Sequence, residues 1–273
     1  VYPLPFKLIE KFAKSVKRCI VAEELAPHIE TMVKAAGIQV EGKNLFPLEG
    51  EFSAKLIRER ILGEKPCAAC ANVPARPPVL CAGCPHRGVF YILSKLKLNV
   101  LGDIGCYTLG AVPPLSAMDA VVCMGASVGM TIGFDKSDPE AHKHSVAVIG
   151  DSTFIHSGIT GLIDAVYNKA KITVIILDNR TTGMTGHQNH PATGKTIKNE
   201  DTYELDLAEV CRAVGVKNVR TVNPNDLAET EKAVKEELAK EEVSVIIAKK
   251  PCVLLTKKLY NGFKVNEKCK KCK

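Results

Sequence analysis

The chain has 273 residues, 46% of them hydrophobic and 25% charged, which is the composition of a globular protein of one large or two modest domains. No apolar run approaches the ~20 residues of a membrane-spanning helix and the first residues lack a signal-peptide pattern, so we expect a cytoplasmic protein without a membrane partner. The formal charge of +7 comes from scattered lysines and the tail 268–273, and no arginine-rich stripe with interleaved aromatic residues predicts a nucleic-acid partner.

Residues 1–80 predict a small unit followed by a linker. Residues 17–23 have the character of a strand, and residues 27–36 predict a helix that ends at Gly37. Between 63 and 80 a glycine and four prolines predict a linker, because proline interrupts helices.

Beyond residue 80 the pattern predicts an α/β domain with a doubly wound, mostly parallel sheet. Helices predicted over 205–214 and 225–240 have the amphipathic spacing of helices that cover such a sheet. Strands are predicted near Asn99, Ala120, Val146, Thr173, Val219 and Ser244.

Two of these strands, 145–149 and 172–177, are short, β-branched and almost uncharged, as in strands buried on both faces of a sheet. A helix predicted over 155–169 joins them into a right-handed βαβ crossover, which brings both strand ends to one edge of the sheet. Asp151 and Asn179 follow these strands, and open α/β sheets bind ligands at such a crevice.

The residue types at this crevice suit a diphosphate bridged to the protein by Mg²⁺. Magnesium prefers oxygen ligands from carboxylates, amides and phosphates. Gly150 allows a ligand to approach the backbone closely, and Ser152 and Thr153 offer N–H groups at the start of a helix, where anions are favoured. An ordinary βαβ unit with an aspartate at the helix start would show the same pattern.

Gly150-Asp151-Ser152, followed after 26 residues by Asn179, resembles the thiamine-diphosphate signature of Gly-Asp-x, about two dozen residues and Asn. Four further segments occur in the order seen in the 2-oxoacid:ferredoxin oxidoreductases, and they are most similar to the large subunit of the indolepyruvate branch. These segments are 81–88, 102–107, 123–129 and 183–188. The resemblance extends over nearly the whole chain and implies a sheet of the thiamine-diphosphate-binding type, preceded by a fragment of a second α/β domain.

The resemblance implies that Asp151, the side-chain carbonyl of Asn179 and the backbone carbonyl of Thr181 ligate Mg²⁺. It implies that N–H groups of Gly125, Ala126 and Ser127 and of 150–153 hold phosphate oxygens. Residues expected to bind the cofactor are Cys84, Pro85, His86, Gly105, Cys106, Gly125, Ala126, Ser127, Gly150, Asp151, Ser152, Thr153, Asn179, Thr181, Gly183 and Met184.

Catalytic roles are expected for His187 and for Cys106, which would lie near the thiazolium ring. His190 follows in the same loop and has the same potential, although loop histidines are more often solvated or capping residues. His86, Arg87 and Arg180 are candidates for contacts with the diphosphate or with a substrate carboxylate.

Eleven cysteines in a chain without a secretion signal indicate metal or cluster ligation over disulfides. Two sets compete for Cys81 and Cys84. A zinc site would add Cys67 and Cys70, although the gap between the two pairs is short for such a site. The resemblance implies instead that a 4Fe–4S cluster lies beside the thiamine, which we favour. Its ligands would be Cys81, Cys84, Cys106 and Cys252.

The other cysteines fall into two groups. Cys269 and Cys272 resemble the opening of a ferredoxin-like domain and make an incomplete 4Fe–4S motif by themselves. Cys19, Cys123 and Cys211 stand in apolar runs and are interpreted as small core residues.

By resemblance, 1–64 is the remnant of a transketolase C-terminal-like domain, 65–265 the thiamine-diphosphate domain and 266–273 the truncated start of a ferredoxin-like domain. A generic βα unit explains the first segment equally well. Because the chain begins at Val1 and stops after Cys272, it is expected to be a piece of a longer polypeptide. The glutamate that activates the cofactor lies, by resemblance, in a pyrimidine-binding domain, so we expect the isolated fragment to be inactive.

The resemblance implies oxidative decarboxylation of an arylpyruvate such as indolepyruvate, with coenzyme A taking the acyl group and ferredoxin the electrons. A smaller β subunit and the pyrimidine-binding domain are the implied protein partners, in an oligomer. Two alternatives stay open: a non-redox thiamine-diphosphate decarboxylase or synthase, and a zinc-stapled scaffold or electron-transfer partner without a cofactor of its own.

Overall fold

The computed structural model describes residues 2–64, 74, 76–256 and 264–270, and the chain divides into two compact units, Val1–Ala75 and Arg76–Lys273. The first unit contains helices α1 (Phe6–Ser15), α2 (His28–Ala35) and α3 (Ala54–Leu62). The predicted helix over 27–36 corresponds to α2, and Gly37 follows it at φ +80°, a conformation that ends helices.

The strand predicted over 17–23 is wrong. In the described part of this unit the segment makes an isolated parallel bridge between Ile20 and Glu41. The physical reason lies at Glu23, whose carboxylate accepts the N–H groups of Ile29 and Glu30 at 2.8 and 2.9 Å. The chain therefore turns to cap α2 and does not continue as a strand.

The second unit is built on a parallel sheet of five strands: β1 (Asn99–Leu101), β2 (Ser145–Gly150), β3 (Thr173–Asp178), β4 (Asn218–Val222) and β5 (Ser244–Lys249). Their spatial order is β1-β2-β3-β5-β4, and all neighbours run parallel. The predicted α/β class is confirmed. Near Ala120 a bridge to Leu101 replaces the expected strand, because the Asp119 carboxylate accepts the N–H of Val100 at 2.7 Å and ends the pairing.

Helices cover both faces of the sheet. On one face α4 (His86–Lys95) and α9 (Leu227–Leu238) pack against Val146, Val148 and Ile175. On the other face lie α5 (Ala126–Ser137), α7 (Ile159–Tyr167) and α8 (Leu207–Ala213), over the alternate strand residues. The alternation within β2 and β3 produces two hydrophobic layers, as expected of strands buried on both sides.

The connection after β2 begins earlier than the sequence predicts. The short helix α6 (Asp151–Thr153) follows β2 directly and continues through a π-helical turn, Phe154–Gly158, into α7. Asp151 is therefore the first helical residue at the carboxyl edge of the sheet. Within the described residues, no helix combines the length and the apolar character that crossing a membrane requires.

Candidate functional site

A cleft lies at the carboxyl ends of β2 and β3. Gly150 pairs with Leu177, so Asp151 just after β2 and Asp178 at the end of β3 lie side by side at this edge of the sheet. The cleft encloses about 540 Å³ including its open mouth. It is lined by His86, Ile104, Gly105, Cys106, Tyr107, Met124, Gly150, Asp151, Ser152, Thr153, Leu177, Asn179, Thr181, Thr182, Gly183, Met184 and Thr185.

The carboxylate of Asp151 is buried, with 2% of the residue exposed, and three donors hold it. Its Oδ1 accepts the N–H of Ser152 at 2.7 Å, and its Oδ2 accepts the N–H of Arg180 at 2.8 Å. The ring nitrogen Nε2 of His190 lies 3.1 Å from the same Oδ2. These contacts come from two sides of the cleft and fix the plane of the carboxylate.

The side chain of Asn179 is buried and held at both ends. Its Oδ1 accepts the N–H of Thr181 at 3.3 Å, while its Nδ2 lies 3.3 Å from Nε2 of His86. Burial lowers the pKa of His86 to about 4, so its ring is neutral and Nε2 can accept a hydrogen bond from the amide NH₂. Oδ1 of Asn179 is thereby directed away from the histidine.

Asp178, which was not singled out from the sequence, brings a second carboxylate next to Asp151, on the side of a neighbouring pocket that it lines with Arg180 and Glu204. Burial, and next the neighbouring Asp151, raise the pKa of Asp178. The guanidinium of Arg180 contributes the opposite effect from 3.7 Å and also pairs with Glu204 at 2.5 Å. The guanidinium of Arg180, a candidate for contact with a diphosphate or a substrate carboxylate, is therefore paired with two carboxylates of the protein. Asp178 could have been recognised in the sequence as the charged residue at the end of an otherwise apolar strand.

The N–H groups expected to bind phosphate at 125–127 have other acceptors. The fully buried carboxylate of Asp103 accepts the N–H groups of Gly125 at 2.8 Å and Ser127 at 3.1 Å, and the N–H of Ala126 donates to the carbonyl of Cys123 at 3.1 Å. A phosphate placed there would meet the charge of Asp103. The expected phosphate contacts of these three residues therefore do not agree with this geometry. The sequence did not indicate the contact with Asp103, because that carboxylate is 22 residues away from Gly125 along the chain.

Close backbone approach at the cleft depends on Gly105 and Gly150. A Cβ at either position would lie 2.4 or 2.6 Å from the ring of Tyr107, whose hydroxyl donates to the carbonyl of Ile104 at 2.9 Å. Tyr107 thus braces the wall against which a ligand would lie, and this residue was not singled out from the sequence.

The expected binding residues Ser152, Thr153, Gly183 and Met184 line the cleft. The hydroxyl of Thr182 donates to Oγ of Ser152 at 2.8 Å and ties the loop to the start of α6. The hydroxyl of Thr153 donates to the carbonyl of Ile104 at 3.2 Å.

The two loop histidines differ sharply in environment. His187 is exposed, at φ +62°, and its N–H donates to the carbonyl of Thr182 at 3.1 Å. His190 is buried and contacts Asp151. Sequence reasoning favoured His187 for catalysis, whereas the geometry brings His190 to the predicted metal ligand.

Four thiols, those of Cys81, Cys84, Cys106 and Cys252, form a second group, of which Cys106 lines the cleft. Burial, and then the other three cysteines, raise the pKa of Cys84 to about 11, with a backbone N–H acting against them. Burial, Cys252 and Cys81 raise the pKa of Cys106. The thiols are therefore close enough to interact electrostatically. Cys106 belongs both to this group and to the wall of the cleft.

The remaining candidates lie in other surroundings. Arg87 donates from Nε to the carbonyl of Cys81 at 2.8 Å and from Nη2 to that of Leu80, so it holds the cysteine turn and not a ligand. Among the described residues Cys84 and Pro85 are outside the cleft lining, immediately before α4.

The three cysteines interpreted as core residues have three different exposures. Cys211 is buried, Cys19 is half-buried and Cys123 is exposed. The interpretation is wrong for Cys123, because its apolar run forms the loop before α5 and not a strand. Cys269 is exposed, whereas Cys67, Cys70 and Cys272 lie outside the described residues.

Residues 103–248 match the family described as thiamine pyrophosphate enzyme, C-terminal TPP binding domain. Indolepyruvate oxidoreductase subunit IorA of Archaeoglobus fulgidus is 39% identical over 304 aligned positions, covering 100% of this chain and 48% of the relative. The same subunit of Methanothermobacter thermautotrophicus is 40% identical and covers 93% of this chain and 44% of the relative. The chain spans about half the length of the curated relatives it matches.

Among solved structures, the 2-oxoglutarate:ferredoxin oxidoreductase of Magnetococcus marinus is similar at a TM-score of 0.56 and 15% identity, with 66% of each chain covered. At this identity the similarity shows a shared fold. The match over 103–248 includes β2, β3, Asp151 and Asn179. The chain belongs to the thiamine pyrophosphate enzymes, carries their C-terminal TPP binding domain and is a relative of the indolepyruvate oxidoreductase subunit IorA.

Proposed function

We propose that this chain is the Mg²⁺- and thiamine-diphosphate-binding part of a 2-oxoacid:ferredoxin oxidoreductase that acts on an arylpyruvate of the indolepyruvate type. The family match supports the cofactor, and the names of the relatives support the substrate class. The redox function rests mainly on Cys106, because this residue lines the cleft and also belongs to the group of four thiols.

The donors in the cleft fit one magnesium ion. A carboxylate offers about four lone-pair positions, and the three contacts of Asp151 leave one for a metal. Oδ1 of Asn179 has two lone pairs, of which Thr181 takes one. The adjacent carboxylate of Asp178 adds negative charge that a divalent cation would offset. Asp151, Asn179 and the backbone carbonyl of Thr181 would hold Mg²⁺.

The number and kind of the thiol side chains support a metal or cluster site. Zinc binds four thiolates, and metal analysis distinguishes it from a cluster. Four thiols that influence one another electrostatically also match the four thiolates that a 4Fe–4S cluster takes. Cys81, Cys84, Cys106 and Cys252 would hold it, and Cys269 with Cys272 would begin a further cluster motif.

The backbone joins this group to the metal site. The N–H of Cys252 donates to the carbonyl of Asn179 at 2.9 Å, and the N–H of Lys250 donates to that of Asp178 at 2.9 Å. The segment after β5 therefore runs beside the proposed magnesium ligands. A cluster here would lie next to the thiamine site, as one-electron oxidation requires.

When bound, thiamine diphosphate supplies the carbanion-stabilising chemistry of decarboxylation. The chain supplies position: Asp151 and Asn179 would orient the diphosphate through Mg²⁺, and Tyr107 shapes the wall behind it. His187, on the exposed side of the loop, remains a candidate for proton transfer with substrate. Coenzyme A, ferredoxin, a β subunit and a pyrimidine-binding domain would be partners in a cytoplasmic oligomer.

Metal analysis with calorimetry tests this function. Anaerobically purified protein is expected to contain iron and acid-labile sulfide in roughly equal amounts. Thiamine diphosphate with Mg²⁺ should bind, and Asp151→Asn should weaken Mg²⁺ binding at least about tenfold, because it removes a charged ligand. Asp164→Asn, at an exposed position of α7, is the matched control.

Each result has a defined meaning. Iron-free protein that binds the cofactor would contradict the redox function and favour a non-redox decarboxylase or synthase. Stoichiometric zinc would favour the scaffold. Equal Mg²⁺ affinity in wild type and Asp151→Asn would contradict the magnesium assignment.

A further inference from the structure

We propose that His190 and His86 are positioning residues that hold the two side-chain ligands of Mg²⁺ through opposite tautomers. His190 would donate from Nε2 to the carboxylate of Asp151, and His86 would accept at Nε2 from the amide of Asn179. This inference rests on the proposed function, because it assigns roles around the same metal site.

The tautomer of His190 follows from its second ring nitrogen. Nδ1 accepts the backbone N–H of Ala192 at 3.3 Å, so it carries no proton. An imidazolium has no acceptor, so the ring is neutral and its proton lies on Nε2. That proton points at Oδ2 of Asp151, 3.1 Å away. The histidine itself starts the 3-10 turn Pro191–Thr193, which fixes its backbone.

His86 selects the orientation of the Asn179 amide. Because Oδ1 of Asn179 accepts the N–H of Thr181 at 3.3 Å, the amide NH₂ faces Nε2 of His86 at 3.3 Å, and that nitrogen accepts the hydrogen bond. The reverse orientation would place two acceptors against each other. His86 is 3% exposed and packs edge-on against Tyr107 with ring centroids 6.0 Å apart, so water has little access to replace it.

The two histidines reach the ligands from distant parts of the chain. His190 is 39 residues from Asp151, and His86 is 93 residues from Asn179. Each ligand also accepts a backbone N–H, from Arg180 and Thr181, so a histidine and a peptide group orient each ligand together. Partners of this kind typically change metal affinity by about 10–100-fold when removed.

Calorimetric titration of Mg²⁺ in the presence of thiamine diphosphate, on the full chain, tests the two roles. His190→Leu and His86→Leu should each weaken Mg²⁺ binding at least about tenfold. His190→Gln and His86→Gln should stay within about threefold of wild type, because glutamine places a donor or an acceptor where Nε2 stood. A purely structural role would give no such rescue.

His142→Leu is the matched control. His142 is also 3% exposed, and its Nδ1 contacts the carbonyl of Pro139 at 3.0 Å, before β2 at the opposite edge of the sheet. This variant should lose stability without a selective loss of Mg²⁺ affinity. If His190→Leu and His86→Leu bind Mg²⁺ as tightly as wild type, the inference is overturned while the proposed function stands. If wild type binds no thiamine diphosphate, both fall together.

NMR of wild-type protein with ¹⁵N-labelled histidine checks the tautomers without any substitution or cofactor. We expect His190 to be protonated at Nε2 and His86 at Nδ1. The opposite tautomer at either ring overturns its role, even where a leucine variant does not fold.

Discussion

At the scale of single residues, similar sequence surroundings lead to different environments. Cys123 and Cys211 both stand in apolar runs, yet Cys123 is exposed and Cys211 is buried on the face of α8 that packs on the sheet. The difference arises because apolar character does not distinguish a loop over the cleft from a helix face on the sheet. Only the packing of the folded chain shows which of the two cysteines is exposed.

We expect these two cysteines to differ in reactivity. Burial raises the pKa of the Cys211 thiol to about 12, so at pH 8 its thiolate is scarcer than that of an ordinary cysteine by a factor on the order of 1,000. Native protein treated with iodoacetamide at pH 8 should be modified at Cys123 at least about 100-fold faster than at Cys211. Peptide mass spectrometry measures both rates, and denatured protein is the control. Comparable rates in the native state would contradict the buried assignment.

At the scale of elements, the runs of β-branched residues predicted β2, β3 and β5 well, whereas the segments at 17–23 and near Ala120 became isolated bridges. Strand character is local, but a strand also needs a neighbour with free backbone groups. Near Ala120 the Asp119 carboxylate takes the N–H of Val100 in the neighbouring strand, and at 17–23 the carboxylate of Glu23 turns the chain to cap α2. Neither side-chain contact is visible in a hydrophobic pattern.

Gly88, in the first turn of α4, packs so closely that we expect a larger residue there to destabilise the protein. A Cβ at Gly88 would lie 2.1 Å from the carbonyl oxygen of Pro224, so Gly88→Ala should lower the free energy of unfolding by about 1–3 kcal/mol. In α5, Gly133 is exposed and has open space around it, so Gly133→Ala should raise this free energy by about 0.5–1 kcal/mol. Urea denaturation compares both with wild type, and an unchanged or higher stability of Gly88→Ala would disprove the close packing.

At the scale of the whole molecule, the cleft and both hydrophobic layers belong to the second unit, since their residues lie between 80 and 248. A chain that starts at Arg76 is therefore expected to fold and to bind thiamine diphosphate with Mg²⁺ within about threefold of the full chain, because domains carry their own cores. Circular dichroism and calorimetry measure the two properties. A folded chain that has lost the affinity would show that residues 1–75 contribute to the site.

The sequence by itself determined the α/β class, the positions of the main strands along the chain and the arrival of Asp151 and Asn179 at one edge of the sheet. These follow from local periodicity and from the handedness of the βαβ crossover. The tertiary structure decided which backbone N–H groups are free, which histidine faces which ligand and which cysteines meet. Those depend on contacts across 22 to 93 residues, such as Asp103 with Gly125 and His86 with Asn179, whose partners no local pattern specifies.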